Sequence, residues 1–125
     1  MKSHKDLDVW KRSIVFVTEI YRITKTFPDK EKYGIINQMR RSAVSIPSNI
    51  AEGSARHSKK ENIQFLYVAL GSLSELETQL IISNNLEYIS EELLESLQKE
   101  ILEIKNMTIG LIRYLSRQKK PVFPT

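Results

Sequence analysis

Five basic residues, Arg40, Arg41, Arg56, Lys59 and Lys60, are the side chains of this 125-residue sequence best suited to meet a ligand. Phosphate oxygens need only cations and N–H donors, so such a set can hold a nucleic-acid backbone without reading its bases. A solvated cationic face is the plainer interpretation. Lys11, Arg12, Lys25, Lys30 and Lys32 lie in neighbouring segments and extend the set. Glu52 and Arg56, at i and i+4, can be read as a catalytic couple, but the same spacing gives a helical ion pair worth about 0.2–0.5 kcal/mol. Bundle metal centres use Glu-x-x-His on facing helices, and neither His4 nor His57 has a glutamate three residues before it. The absence of cysteine excludes thiolate zinc sites, disulfides and cysteine nucleophiles. No Gly-rich phosphate loop, zinc-protease motif or nucleophile elbow occurs, nor a base-reading motif. The expectation is a non-enzyme with no cofactor, no metal and no small-molecule substrate.

Most of these residues fall on or beside one stretch, Gly34 to His57, which reads as a helix with two seams. Ile36, Met39, Ala43, Ile46 and Ile50 draw an apolar stripe at helical spacing. Gln38, Ser42, Ser45, Asn49, Glu52 and Arg56 draw a polar stripe alongside, which suggests a helix contacted on a second side, with Gln38, Ser42, Ser45, Asn49 and Glu52 as candidate subunit contacts. Pro47 interrupts the pattern and removes one backbone donor, at about 3 kcal/mol in a helix interior. The apolar register keeps phase across it, so the expectation is a single, proline-kinked helix.

Three further helices are needed. The first starts near Asp6 or Asp8 as a cap, with Leu7, Trp10, Ile14, Val17, Tyr21 and Thr24 as its stripe, and Phe16, Ile20 and Ile23 widening it; Phe27-Pro28 ends it. The third follows the capping box Ser58-Lys59-Lys60-Glu61 and buries Leu66, Ala69, Leu73, Leu76 and Leu80. Gly71 within it predicts close helix approach, and Asn84-Asn85 a C-cap. The fourth opens at Ser90-Glu91-Glu92 and carries Leu94, Leu97, Ile101, Ile104, Thr108, Leu111 and Leu115 in heptads. No segment alternates with period two. The fold class is therefore all-α, an antiparallel up-down four-helix bundle over residues 1–118, with a basic Pro-containing tail at 119–125.

Net charge is +4, unevenly placed: residues 1–60 carry +7, 61–103 carry −8 and 104–125 carry +5. Such blocks favour head-to-tail self-association or a polyanion on one face. Apolar runs such as the four residues Ile14–Val17 fall far short of the roughly 20 that span a bilayer. With a charged N-terminus lacking an apolar core, this predicts a cytoplasmic protein with no membrane role.

The ordered string Asp8-Val9-Trp10-Lys11, Phe27-Pro28, Tyr33-Gly34, Gln38-Met39-Arg40-Arg41 and Ser45-Ile46-Pro47-Ser48-Asn49-Ile50-Ala51-Glu52-Gly53 resembles one family over nearly the whole chain. It is the family of four-helix-bundle proteins encoded by 23S rRNA intervening sequences, also labelled S23 ribosomal proteins; the accessory variability proteins of diversity-generating retroelements are similar. The resemblance implies a bacterial bundle assembled as a homopentamer, and, in the retroelement branch, basic surfaces that bind a reverse transcriptase and nucleic acid. Two functions stand side by side: an oligomeric RNA-binding or reverse-transcriptase accessory protein, and an oligomeric protein-interaction scaffold with no nucleic-acid role.

Overall fold

A computed structural model describes residues 3–118. The apolar stripes become four helices, α1 (Asp8–Thr24), α2 (Ile35–Ser54), α3 (Lys59–Asn85) and α4 (Glu91–Arg117). Consecutive helices pack together, α1 closes the ring against α4, and the diagonal pairs stay apart. Partner residues run in opposite directions: Ser42 meets Glu75, and three residues on, Ser45 meets Ser72. The antiparallel four-helix bundle expected from the sequence is the observed fold, and the described residues contain no strand. The 119–125 tail lies outside the described residues.

Helix α2 runs unbroken through Pro47, and Ile36, Met39, Ala43, Ile46 and Ile50 are all buried on both sides of it. Continuity of register across the proline was the correct guide, because burying those side chains outweighs one missing backbone bond. The helix stops at Ser54, so Arg56 and His57 sit in the following turn. His57 is exposed there, beyond the end of the helix. The tight turn depends on Gly53: a Cβ at this position would lie 2.7 Å from Asn62 Oδ1 and 3.0 Å from Phe65 Cβ. Close helix approach, expected at Gly71, therefore belongs to Gly53; Gly71 is exposed, with nothing within 4 Å of where its Cβ would be.

Several local expectations are corrected. In α1 the buried stripe is Val9, Ser13, Phe16, Ile20 and Thr24, while Ile14 and Tyr21 are exposed. Ser13 reads as polar, but its hydroxyl donates to the Trp10 carbonyl at 2.8 Å, which lets it face the core with its hydrogen bond already made. Neither Asp6 nor Asp8 caps α1: the N-cap is Leu7 without a side-chain bond, and Ser3 instead caps a 3-10 turn at His4–Asp6. Ser58 does cap α3, accepting from the Glu61 N–H at 3.1 Å, though the Glu61 carboxylate returns to the serine hydroxyl rather than to its backbone. Ser90 caps α4 in the expected way. At the end of α3 the left-handed residue is Glu87 (φ 66°), not an asparagine. Tyr88 N–H reaches the Ser83 carbonyl and Glu87 N–H that of Asn84, a Schellman closure. In α4 the buried stripe passes from Thr108 to Ile112, leaving Leu111 and Leu115 half-buried. A strict seven-residue repeat drifts about 20° per heptad on a straight helix, and the stripe changes residue to stay inward.

Helix α3 is also long and apolar enough, by length and composition, to cross a bilayer, against the sequence expectation taken from shorter runs. Its stripe from Leu66 to Leu80 is fully buried in the bundle, which is what a core helix of a folded domain also shows. Yet only 39% of its most apolar window is buried.

Candidate functional site

The five basic residues do not form one cluster. Arg40 turns toward α1, where its Nε donates to Thr24 Oγ1 at 2.9 Å and its terminal nitrogen to the Tyr21 carbonyl at 3.2 Å. Its guanidinium also lies 4.5 Å from the Tyr21 ring centroid. A cation there satisfies carbonyls at the negative end of α1, so Arg40 joins two helices. Arg56 pairs with Glu52 at 2.7 Å and covers the Phe65 ring at 4.9 Å. Lys59 donates to the Gln118 carbonyl, tying the start of α3 to the end of α4. Lys60 is exposed. Arg41 is exposed as well, and among the described residues it makes no ion pair. Fifteen residues separate it from Arg56, roughly 22 Å along a helix, so the two ends of α2 are distinct places.

The polar stripe of α2 is met within the chain, by α3. Ser42 donates to Glu75 Oε1 at 2.9 Å, Ser45 shares a 2.8 Å bond with Ser72, and the Asn49 amide donates to both the carbonyl and hydroxyl of Ser45. Gln38 remains exposed and Glu52 holds Arg56. Where the two helices part, Asn37, Gln38, Arg41, Ser42, Ser45, Glu75 and Gln79 line an open recess of about 440 Å³. Gln79 is 7% exposed, and its Oε1 has no hydrogen-bond partner.

Sequence reasoning passed over the outer face of α3. Tyr67, Gly71, Ser74, Thr78, Ile81 and Asn85, at spacings of 4, 3, 4, 3 and 4, are all exposed, and none carries a charge. Val68 and Ile82 flank the stripe and are exposed too. The same periodicity count that found the buried stripe would have found this one. It was hidden because tyrosine, serine and threonine are ordinary surface residues when read singly.

Ion pairs stitch the basic and acidic parts together. Arg12 of α1 bridges Glu100 at 2.8 Å and Glu103 at 3.5 Å on α4, and Lys105 meets Glu77 at 3.6 Å. The hydrogen bond Arg12 donates to Glu100, then the charge of that carboxylate, hold the Arg12 pKa above its ordinary value. Exposed pairs of this kind add little stability; they fix which way the helices face. No group of three His, Asp or Glu side chains among the described residues is placed to hold a metal ion.

Comparison with known proteins agrees with the string of motifs on α1 and α2. Among solved structures, a protein of unknown function from the S23 ribosomal protein family of Bacteroides thetaiotaomicron superposes with a TM-score of 0.78 at 30% identity, over 84% of this chain and 95% of that one. Comparison with curated proteins gives no match. The model of the 23S rRNA-intervening sequence proteins matches residues 5–110, a span that takes in α1, α2, α3 and most of α4. The chain belongs to the 23S rRNA-intervening sequence protein family.

Proposed function

We propose that this protein is a non-catalytic, self-associating bundle whose outer α3 face seats against a second copy of the chain. The uncharged stripe Tyr67, Gly71, Ser74, Thr78, Ile81 and Asn85 carries the reading, because with the exposed Val68 and Ile82 beside it this face has no charge to desolvate and apolar area to cover. Charge favours a second copy as the occupant: residues 61–85 of α3 carry Glu61, Glu75 and Glu77 and no basic residue, while α1 and α2 lie in the segment of net +7. On that basic side Ile14, Tyr21 and Val44 are exposed, and Tyr21 and Val44 line one shallow depression with Arg41. A contact between two different faces of identical subunits is head-to-tail, and it closes into a ring when the rotation per subunit allows. The five-membered ring implied by the family resemblance is one such closure. Native mass spectrometry and sedimentation should show a multiple of the 14.5 kDa chain, weakening as salt rises. A monomer at every concentration and ionic strength sinks this reading.

A second reading, RNA or reverse-transcriptase binding by the assembled protein, is favoured by Arg41, which faces outward without an internal acid. If Z phosphates are neutralised, affinity for single-stranded RNA should fall with salt at a log–log slope of about −0.7Z. Arg41→Ala should weaken binding and flatten that slope while leaving the fold intact. Absence of RNA binding at low salt would leave only the self-associating scaffold. A cytoplasmic location agrees with both readings.

A further inference from the structure

Building on the self-association proposed above, we infer that the turn closing α3 is the key of the subunit contact. Leu86 and Glu87 of one copy seat in the depression between α1 and α2 of a second copy, with the Glu87 carboxylate on Arg41 and the Leu86 side chain against Tyr21 and Val44. Glu87 breaks two local rules at once. It takes the left-handed conformation (φ 66°) in which glycine is usual. It also puts a negative charge just past the end of α3, where the helix dipole is itself negative.

Nothing within the chain compensates. Glu87 is exposed and makes no ion pair among the described residues. Most other acids of the segment 61–103 have internal company: Glu75 holds Ser42, Glu77 meets Lys105, and Glu100 and Glu103 hold Arg12. Local rules are broken in this way where a residue serves a contact beyond its own helix. Leu86 is 50% exposed and Ile82, one turn back, 43%, so the corner offers an acid flanked by aliphatic carbon at the end of the uncharged α3 stripe.

The depression has the matching chemistry. It is an open hollow of about 520 Å³. Arg40, tied to Thr24 and to the Tyr21 carbonyl, lies against the Tyr21 ring and fixes that wall. Tyr21 and Val44 are exposed in it, and Arg41 lines it without an acid of its own. A free cation beside an apolar wall suits a carboxylate and an aliphatic side chain on adjacent residues. Both features belong to the same end of the bundle: Ser83, near the end of α3, contacts the Met39 sulfur at 3.4 Å, and Arg40 reaches Thr24 at the end of α1. Subunits standing side by side in the same sense bring the corner of one toward the depression of the next.

The test uses the full-length chain freed of nucleic acid, with dissociation constants from sedimentation and masses from native mass spectrometry. Glu87→Arg and Arg41→Glu should each weaken assembly by about tenfold or more, because like charges then face each other. The double variant restores opposite charges and should recover most of the parent affinity. Glu87→Gly suits the left-handed turn, so the dissociated chain should melt no lower than the parent, yet assembly should weaken. Leu86→Ser should weaken assembly too, with helical circular dichroism unchanged. A parent that assembles, with single reversals that assemble equally well or a double variant no tighter than either single, overturns this contact and leaves self-association standing. A parent that stays monomeric overturns both.

Discussion

Helices α3 and α4 are both 27 residues long and both bury one continuous stripe, yet their outward stripes differ in charge. Along α4 the exposed stripe is Glu92, Ser96, Lys99, Glu103, Asn106, Gly110, Arg113 and Arg117, with charges of both signs. Along α3 it is Tyr67, Gly71, Ser74, Thr78, Ile81 and Asn85, with no charge at all. Bundle stability asks the same of both helices, and the proposed self-contact rests on that difference between their outer stripes. A charged stripe keeps water; an uncharged one gives it up at a smaller desolvation penalty.

The largest expected effect tests whether the inward faces are equivalent. Leu73→Ala in α3 and Ile104→Ala in α4 both empty fully buried positions, and each should lower the unfolding free energy by about 2–5 kcal/mol in urea titrations. A large loss in one helix with almost none in the other would mean the two do not share one core. Next come the outward faces. Tyr67→Glu combined with Ile81→Glu should reduce the oligomer to a monomer with helical circular dichroism intact, whereas Lys99→Ala with Arg113→Ala should leave the mass unchanged. The opposite pattern would move the contact to α4.

The helix ends sharpen the contrast further. Helix α3 closes on Glu87 at φ 66°, while α4 ends at Gln118 with φ −72°. A non-glycine residue in the left-handed region costs roughly 1–2 kcal/mol, so Glu87→Gly should stabilise the fold by about 1 kcal/mol and Gln118→Gly should not. Calorimetry of the two variants decides it. The smallest effect lies in the link between these helices, where the Tyr88 hydroxyl donates to Glu31 Oε2 at 2.7 Å. That hydrogen bond, then burial and the carboxylate charge, raise the Tyr88 pKa above its ordinary value of 10.0. Because the raised value belongs to the folded state, the contribution is complete below pH 10.0 and is lost as pH climbs through the higher value. Tyr88→Phe should therefore show a shallower alkaline fall in melting temperature than the parent.

The architecture was legible because four apolar stripes kept helical phase, and even Pro47 did not break the count. What the sequence concealed were polar atoms satisfied locally. Ser13 and Ser83 bond to carbonyls of their own helices, at Trp10 and Gln79, and so take core positions that composition assigns to larger apolar neighbours. Arg40 and Arg41 look equivalent as adjacent letters, but 100° of helix rotation sends one to α1 and leaves the other facing outward. Gln79 was unreadable as a core residue, because only the packing of α2 on α3 shows that it is buried.

The contact of Gly53 with Asn62 bears on the order in which the chain folds. Loop closure over so few residues is entropically mild, so α2 and α3 can zip into a hairpin from their shared turn before α1 and α4 arrive. Truncations such as Ile50→Ala and Leu66→Ala, buried near that turn, should then slow refolding, whereas Leu97→Ala in α4 should chiefly speed unfolding. Stopped-flow refolding of the three variants would show which end of the molecule is made first.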